Sequence, residues 1–366
     1  MQYTRAFGNN SHFSNQRKTK QANQFATSKP LPSGASLYKG TTGTQSAFQE
    51  RNFLSQNKAL SGELRGIDMQ NFINDPIEIK PIYVMGMGEC PLALYPLLPD
   101  FEPEKVVVLY HEVGAYHTEQ SLKFASQLVD DHNIAVYLVE LRGHGLSAGA
   151  TLSKELDDPK WLLKDIDLVL KHTRTRHSDA TIYLGGHGQS CALLSHYASK
   201  GCEKNKINGL IFIAPYFGPF SHLYDRDSLS TANVPYKQVN FFNLAIHALS
   251  AGRFRRQRAG WKFCMSGAPQ ISAKKQRIVA KKTFSTNWAY YLHTLAPSAL
   301  IANIQTPIYL FLPKKGLCSQ KTTVAFFKET TAKVKIHYSA SANRFDILEQ
   351  IAKPLSHDLA MSAVEG

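Results

Sequence analysis

The sequence predicts an α/β protein: a mostly parallel sheet of about eight strands, helices on both faces and an inserted helical cap. Three observations predict it. Continuous apolar runs such as Lys105–Tyr110 (KVVVLY) and Leu210–Ala214 (LIFIA) read as strands buried on both faces. Stretches of helical spacing alternate with these runs, as crossovers between parallel strands require. One long stretch, residues 219–296, interrupts the alternation and looks helical, like an insertion.

Taken in order, residues 1–75 are rich in Ser, Thr, Asn, Gln and Gly with little hydrophobic periodicity, and are expected to form a disordered basic tail. The core begins with residues 76–218. Pro76–Met85 and Leu92–Leu98 read as a leading antiparallel pair, followed by the strand Lys105–Tyr110 and a helix over Gln120–Asp131. Ala135–Glu140 is the next strand. Asp158–His177 is a helix with Pro159 in its first turn, where a missing N–H costs nothing. Thr181–Gly185, a helix over Cys191–Ser199 and Leu210–Ala214 follow. After the insertion, residues 297–366 return to the core with strands Pro307–Leu312 and Val334–Tyr338 and a helix over Thr322–Lys328 between them.

The 366 residues carry a net charge of +14, and its location is informative. From Met1 to Gln49 there are six Lys/Arg and no acid; from Ser228 to Lys328 there are fifteen and again no acid. Within the second stretch Arg253, Arg255, Arg256, Arg258 and Lys262 cluster with Phe254, Trp261 and Phe263. Cations without local countercharge project an outward field, so an anionic membrane surface or polyanion is an expected partner of the cap. No nucleic-acid module accompanies the charge, which disfavours nucleic acid. Five cysteines without CxxC spacing read as buried thiols. The scattered histidines lack zinc-ligand spacing, so neither metal nor cofactor is expected. Met1–Asn10 lacks the apolar run of an export signal, and the chain is read as cytoplasmic. The alternatives are mitochondrial targeting through the basic N-terminal segment, or a peripheral membrane location.

Three motifs carry a resemblance: VVVLYHEVGAYH (Val106–His117), VELRGHGLS (Val139–Ser147) and IYLGGHGQSCALLSHYA (Ile182–Ala198). Together they resemble the α/β-hydrolase superfamily, in its serine aminopeptidase, monoacylglycerol lipase and lysophospholipase branch. That branch reads HG after the first strand, DxRGHGxS after the next and GHSxGG at a strained strand–turn–helix that presents the nucleophile. Gapless alignment puts Gly188 at the serine position and Gln189 beside it, with Ser190 and Cys191 in place of two glycines. The resemblance puts the acid at Gly316 (PKKGLCS) and the histidine at Phe345 (SANRFDIL). His111 is followed by Glu112 where the family has glycine, which sets a carboxylate in the presumed oxyanion region with Val113 and Gln189.

Loss of serine, acid and histidine together implies a pseudo-hydrolase with a degenerate triad, binding a lipid-like ligand or an anionic surface. The alternative is an active carboxylic-ester hydrolase, like a lysophospholipase or monoacylglycerol lipase, through Ser190, since Gly188–Ala192 fits GxSxA. That alternative lacks partners: Asp346 is near the histidine's place, His337 lies in a strand and His357 past the helix that should follow. His144 and His187 read as loop-orienting residues.

Overall fold

The computed structural model describes residues 79–115, 117–148, 156, 158–218, 221–223, 236–239, 261–263, 283–284, 288, 291–292, 294, 296–314, 316–331, 333–340 and 346–362. The tail over residues 1–75 lies outside them.

An eight-stranded sheet organises the fold. Its strands are β1 (Ile82–Gly86), β2 (Cys90–Leu97), β3 (Lys105–Tyr110), β4 (Ile134–Val139), β5 (Thr181–His187) and β6 (Gly209–Ile213), then the last two after the insertion, Ile308–Leu312 and Val334–Tyr338. The first two pair antiparallel and β2 meets β4 antiparallel. Every other pairing is parallel, with β3 between β4 and β5 in register Val106↔Ala135 and Val106↔Ile182. All eight expected strands are present.

The period-two alternation of a strand divides the core into two layers. Val106, Val108 and Tyr110 of β3 face one apolar cluster, Val107 and Leu109 the other. On the first side lie α2 (Lys160–Arg176) and α3 (Ser190–Lys200), whose Leu162, Ile166, Val169, Leu193 and Tyr197 are buried there. On the second lie α1 (Glu119–His132) and the C-terminal helix Leu348–Ser362, through Phe124, Leu128, Ile351 and Leu355. Helix α1 starts at Thr118, whose hydroxyl accepts from the Ser121 N–H, and stops at Asn133 in the left-handed conformation.

Among its described residues the insertion holds strands that the sequence does not signal. Within 219–296 the described residues include a three-stranded antiparallel sheet: β7 (Tyr236–Val239), β8 (Trp261–Phe263) and β9 (Thr283–Phe284). Val239 is opposite Trp261, which is opposite Phe284. Aromatic and β-branched residues favour the extended chain, and three-residue strands leave too short an alternation to outweigh the surrounding Lys/Arg spacing in a sequence reading. The chain then rejoins the core through α4 (Pro297–Ala302), with proline at its first turn. Strand β10 (Ile308–Leu312), α5 (Gln320–Thr330), β11 (Val334–Tyr338) and α6 (Leu348–Ser362) complete it.

His196 of α3 ties the core to the end of the insertion. Its Nε2 is 3.1 Å from the Thr294 hydroxyl and its ring meets Tyr291 edge-on at 5.1 Å. Burial, with Lys200 adding to it, lowers its pKa from 6.5 to about 4. A depressed histidine stabilises the fold above the unfolded value and loses that contribution as pH falls from 6.5 towards 4. The loss amounts to at most about 3 kcal/mol. His117, buried and lowered in the same direction, adds to the slope. Urea midpoints of His196→Gln should therefore vary less between about pH 7 and pH 4 than those of the wild type; an unchanged slope would rule His196 out as a source of acid sensitivity.

Candidate functional site

The RGHG loop after β4 is a bolt between elements. Arg142 donates two hydrogen bonds of 2.7 Å to the Asp165 carboxylate of α2, and its guanidinium lies 5.2 Å from the Trp161 ring centre. Asp165 also accepts the Met87 N–H. Burial pushes the Asp165 carboxyl up while the Arg142 guanidinium holds it down. The His144 Nε2 accepts the Gly114 N–H at 2.9 Å, so its proton sits on Nδ1 and is donated to the Arg142 carbonyl. Gly145 has φ +47, and a Cβ there would come within 2.5 Å of the buried Glu140 carboxylate, so glycine alone fits. The Ser147 hydroxyl donates to the Glu140 carbonyl and accepts the Ala93 N–H. His144 is thus loop-orienting, as its motif implied.

At the sharp turn between β5 and α3, Gly188 has φ +59. Its N–H donates to the Ile213 carbonyl, and its own carbonyl accepts from the N–H groups of Cys191 and Tyr216. The turn residue at the elbow is therefore 188. Ser190 is the first residue of α3, fully buried, with its hydroxyl donating to the His111 carbonyl at 2.5 Å. Cys191 is likewise buried; its thiol points to the Gly186 carbonyl, and burial pushes its pKa well up. Gln189 precedes the helix, is fully inaccessible, and its side-chain amide finds no hydrogen-bond partner among the described residues.

Facing this turn is the loop after β3. Glu112 is 1% exposed. A Cβ built on Gly188 would lie 2.6 Å from its Oε1, 2.8 Å from Cδ and 2.9 Å from Cγ. Val113 is fully buried. The His111 Nε2 accepts the Leu141 N–H and lies 3.2 Å from Glu140 Oε2, while Nδ1 is 2.8 Å from the Glu112 carbonyl. A narrow cleft beside the turn is lined by His111, Glu112, His117, His187, Thr118 and Leu348. His117 was not singled out from the sequence: it lies in an aperiodic loop, where nothing signals burial. Its Nε2 meets the Val139 carbonyl at 3.0 Å, and desolvation lowers its pKa well below 6.5.

The structure brings His111, Glu112 and Ser190 of the sequence-selected set to the turn at Gly188. Gly316 lies in the loop after β10 and presents no side chain. Phe345, Arg253, Arg255, Arg256 and Arg258 lie outside the described residues, and Lys262 is known only as backbone in β8. His337 does not reach the turn as a base: it stacks on Phe311 at 4.9 Å and pairs with Asp358 of α6 at 2.5 Å. Among the described residues no group of three His, Cys, Asp or Glu side chains could hold a metal, and no helix is long and apolar enough to cross a membrane.

Comparison with known proteins agrees with this architecture. A monoglyceride lipase from Saccharomyces cerevisiae, solved as a soluble variant with a substrate analog, superposes with TM-score 0.56 over 80% of this chain and 98% of that one, at 12% identity. A carboxyl esterase from Bacillus coagulans gives TM-score 0.55 over 77% and 97%, also at 12% identity. Both show a shared fold. Protein phosphatase methylesterase 1 of Candida albicans is 28% identical over 117 residues, 31% of this chain and 30% of the relative, so the match spans under a third of that protein's length. The model of one family, serine aminopeptidase S33, matches residues 101–341. That match runs from before β3 to beyond β11, well over half of the sequence, and the chain belongs to the serine aminopeptidase S33 family of α/β hydrolases.

Proposed function

We propose that this chain is a non-catalytic member of its family, a hydrolase scaffold that binds rather than hydrolyses. The observation that carries the reading is the pairing of Gly188 with Glu112: the turn that would present a nucleophile has no side chain, and a carboxylate lies beside it. An acyl-enzyme needs a hydroxyl or thiol there, and a developing oxyanion beside a carboxylate would be repelled. Ser190, in the first turn of α3, donates its hydroxyl to the His111 carbonyl of the loop after β3. The purified protein should therefore give no labelling with a fluorophosphonate probe under conditions that label an active monoglyceride lipase.

A second reading, a carboxylic-ester hydrolase working through Ser190, draws on the names of its relatives, which include a methylesterase, an esterase and a lipase. Labelling that disappears in Ser190→Ala would establish it and end the first.

The binding role assigned here is to a lipid-like ligand and, through the acid-free stretch Ser228–Lys328, to an anionic surface. The protein should sediment with phosphatidylserine vesicles and not with phosphatidylcholine vesicles. At about 1 M salt, where the screening length is about 3 Å, that binding should vanish. Equal sedimentation with both lipids would remove the charge argument.

A further inference from the structure

We propose that Glu112 is a built-in plug of the nucleophile pocket and that Gly188 is its matched partner, so that the two positions form one closed device. The inference rests on residue 188 being the vacated nucleophile position, and it adds what now fills that position. Three atoms of the Glu112 side chain, Oε1, Cδ and Cγ, lie within 2.9 Å of where a Cβ on residue 188 would stand. Real Cβ atoms essentially never approach other atoms so closely, so any side chain at 188 and the present course of Glu112 exclude each other. The nearest two of these atoms belong to the carboxylate end of the side chain, but burial leaves that end no solvent to swing into. Glu112 is 1% exposed, and its carbonyl is held by the Ala115 N–H while the His111 carbonyl next to it accepts the Ser190 hydroxyl.

The backbone remains that of a hydrolase elbow, with φ +59 at the turn and a helix leaving it, while the space above the turn belongs to the chain's own carboxylate. Restoring serine at 188 alone would not restore a nucleophile, because the hydroxyl would have to displace Glu112. An acyl group seeking the elbow meets the same obstacle. Closure is thus a property of the pair, over and above the missing hydroxyl.

The test is a double-mutant cycle on the full chain with Gly188→Ala, Glu112→Ala and the double variant, read by chemical denaturation. Alanine at 188 suffers from its positive φ in either background, but meets the Glu112 side chain in only one. Gly188→Ala is therefore expected to shift the unfolding equilibrium about tenfold further in the wild type than in the Glu112→Ala background. If Gly188→Ala fails to fold alone and folds once Glu112→Ala is added, the plug is supported equally. Equal shifts in both backgrounds would overturn it, as would a double variant that fails to fold while Glu112→Ala folds. Neither of those results bears on catalysis, which the fluorophosphonate experiment decides separately on the wild-type chain.

Discussion

Asp165→Ala should cost the fold about 3–5 kcal/mol, the penalty for leaving one member of a buried ion pair without its partner. Arg142 is 2% exposed and Asp165 6%, and their two hydrogen bonds of 2.7 Å form a fork-to-carboxylate match. Removing the carboxylate strands a guanidinium that cannot give up its proton, with the Trp161 ring beside it. It also deprives the Met87 N–H of its acceptor. Replacing both members by apolar residues of similar volume should recover most of the loss, because the desolvation of two charges disappears with them. Guanidinium midpoints of Asp165→Ala, Arg142→Met and the pair would show this. A loss near 0.5 kcal/mol for Asp165→Ala would mean that water reaches Arg142 and that the bolt is weaker than its geometry suggests.

The sheet was legible because each central strand is an uninterrupted apolar run: Lys105–Tyr110 and Leu210–Ala214 could hardly be anything but strands covered on both faces. Short β7 to β9 were not legible, since two to four residues carry too little alternation to compete with a long Lys/Arg-rich context. Much of the site could be read one position at a time. Gly188 and Glu112 each stand out as a departure from a family motif, whereas the hydrogen bond of Ser190 to the His111 carbonyl has no signal in the sequence. What the sequence could not reveal was that the first two departures touch, because a contact between separate loops leaves no periodicity. The partner of Arg142, 23 residues away on another element, was hidden for the same reason. His117 and the buried amide of Gln189 depend on how loops fold over the strand ends, where composition says nothing about exposure.

His144→Phe tests whether the RGHG histidine has the purely architectural role its contacts imply, and should destabilise the protein by about 2–6 kcal/mol. The side chain is fully inaccessible, packed edge-on against Trp288 at 5.3 Å and tilted against His111 at 5.1 Å. Phenylalanine keeps a flat ring between these neighbours, so the change removes hydrogen bonding more than packing. It loses both bonds at once: the Gly114 N–H loses its acceptor and the Arg142 carbonyl its donor. A buried backbone group without a partner costs about 1–3 kcal/mol, and two of them set the expected range. The Gly114 N–H sits in the loop after β3 that carries Glu112, so weakening this bond should loosen the residue that faces Gly188. Amide exchange at Gly114 should accelerate in His144→Phe well beyond what the global loss of stability explains. A variant as stable as the wild type, with Gly114 still protected, would show that both backbone groups have found other partners and that His144 is replaceable in the loop.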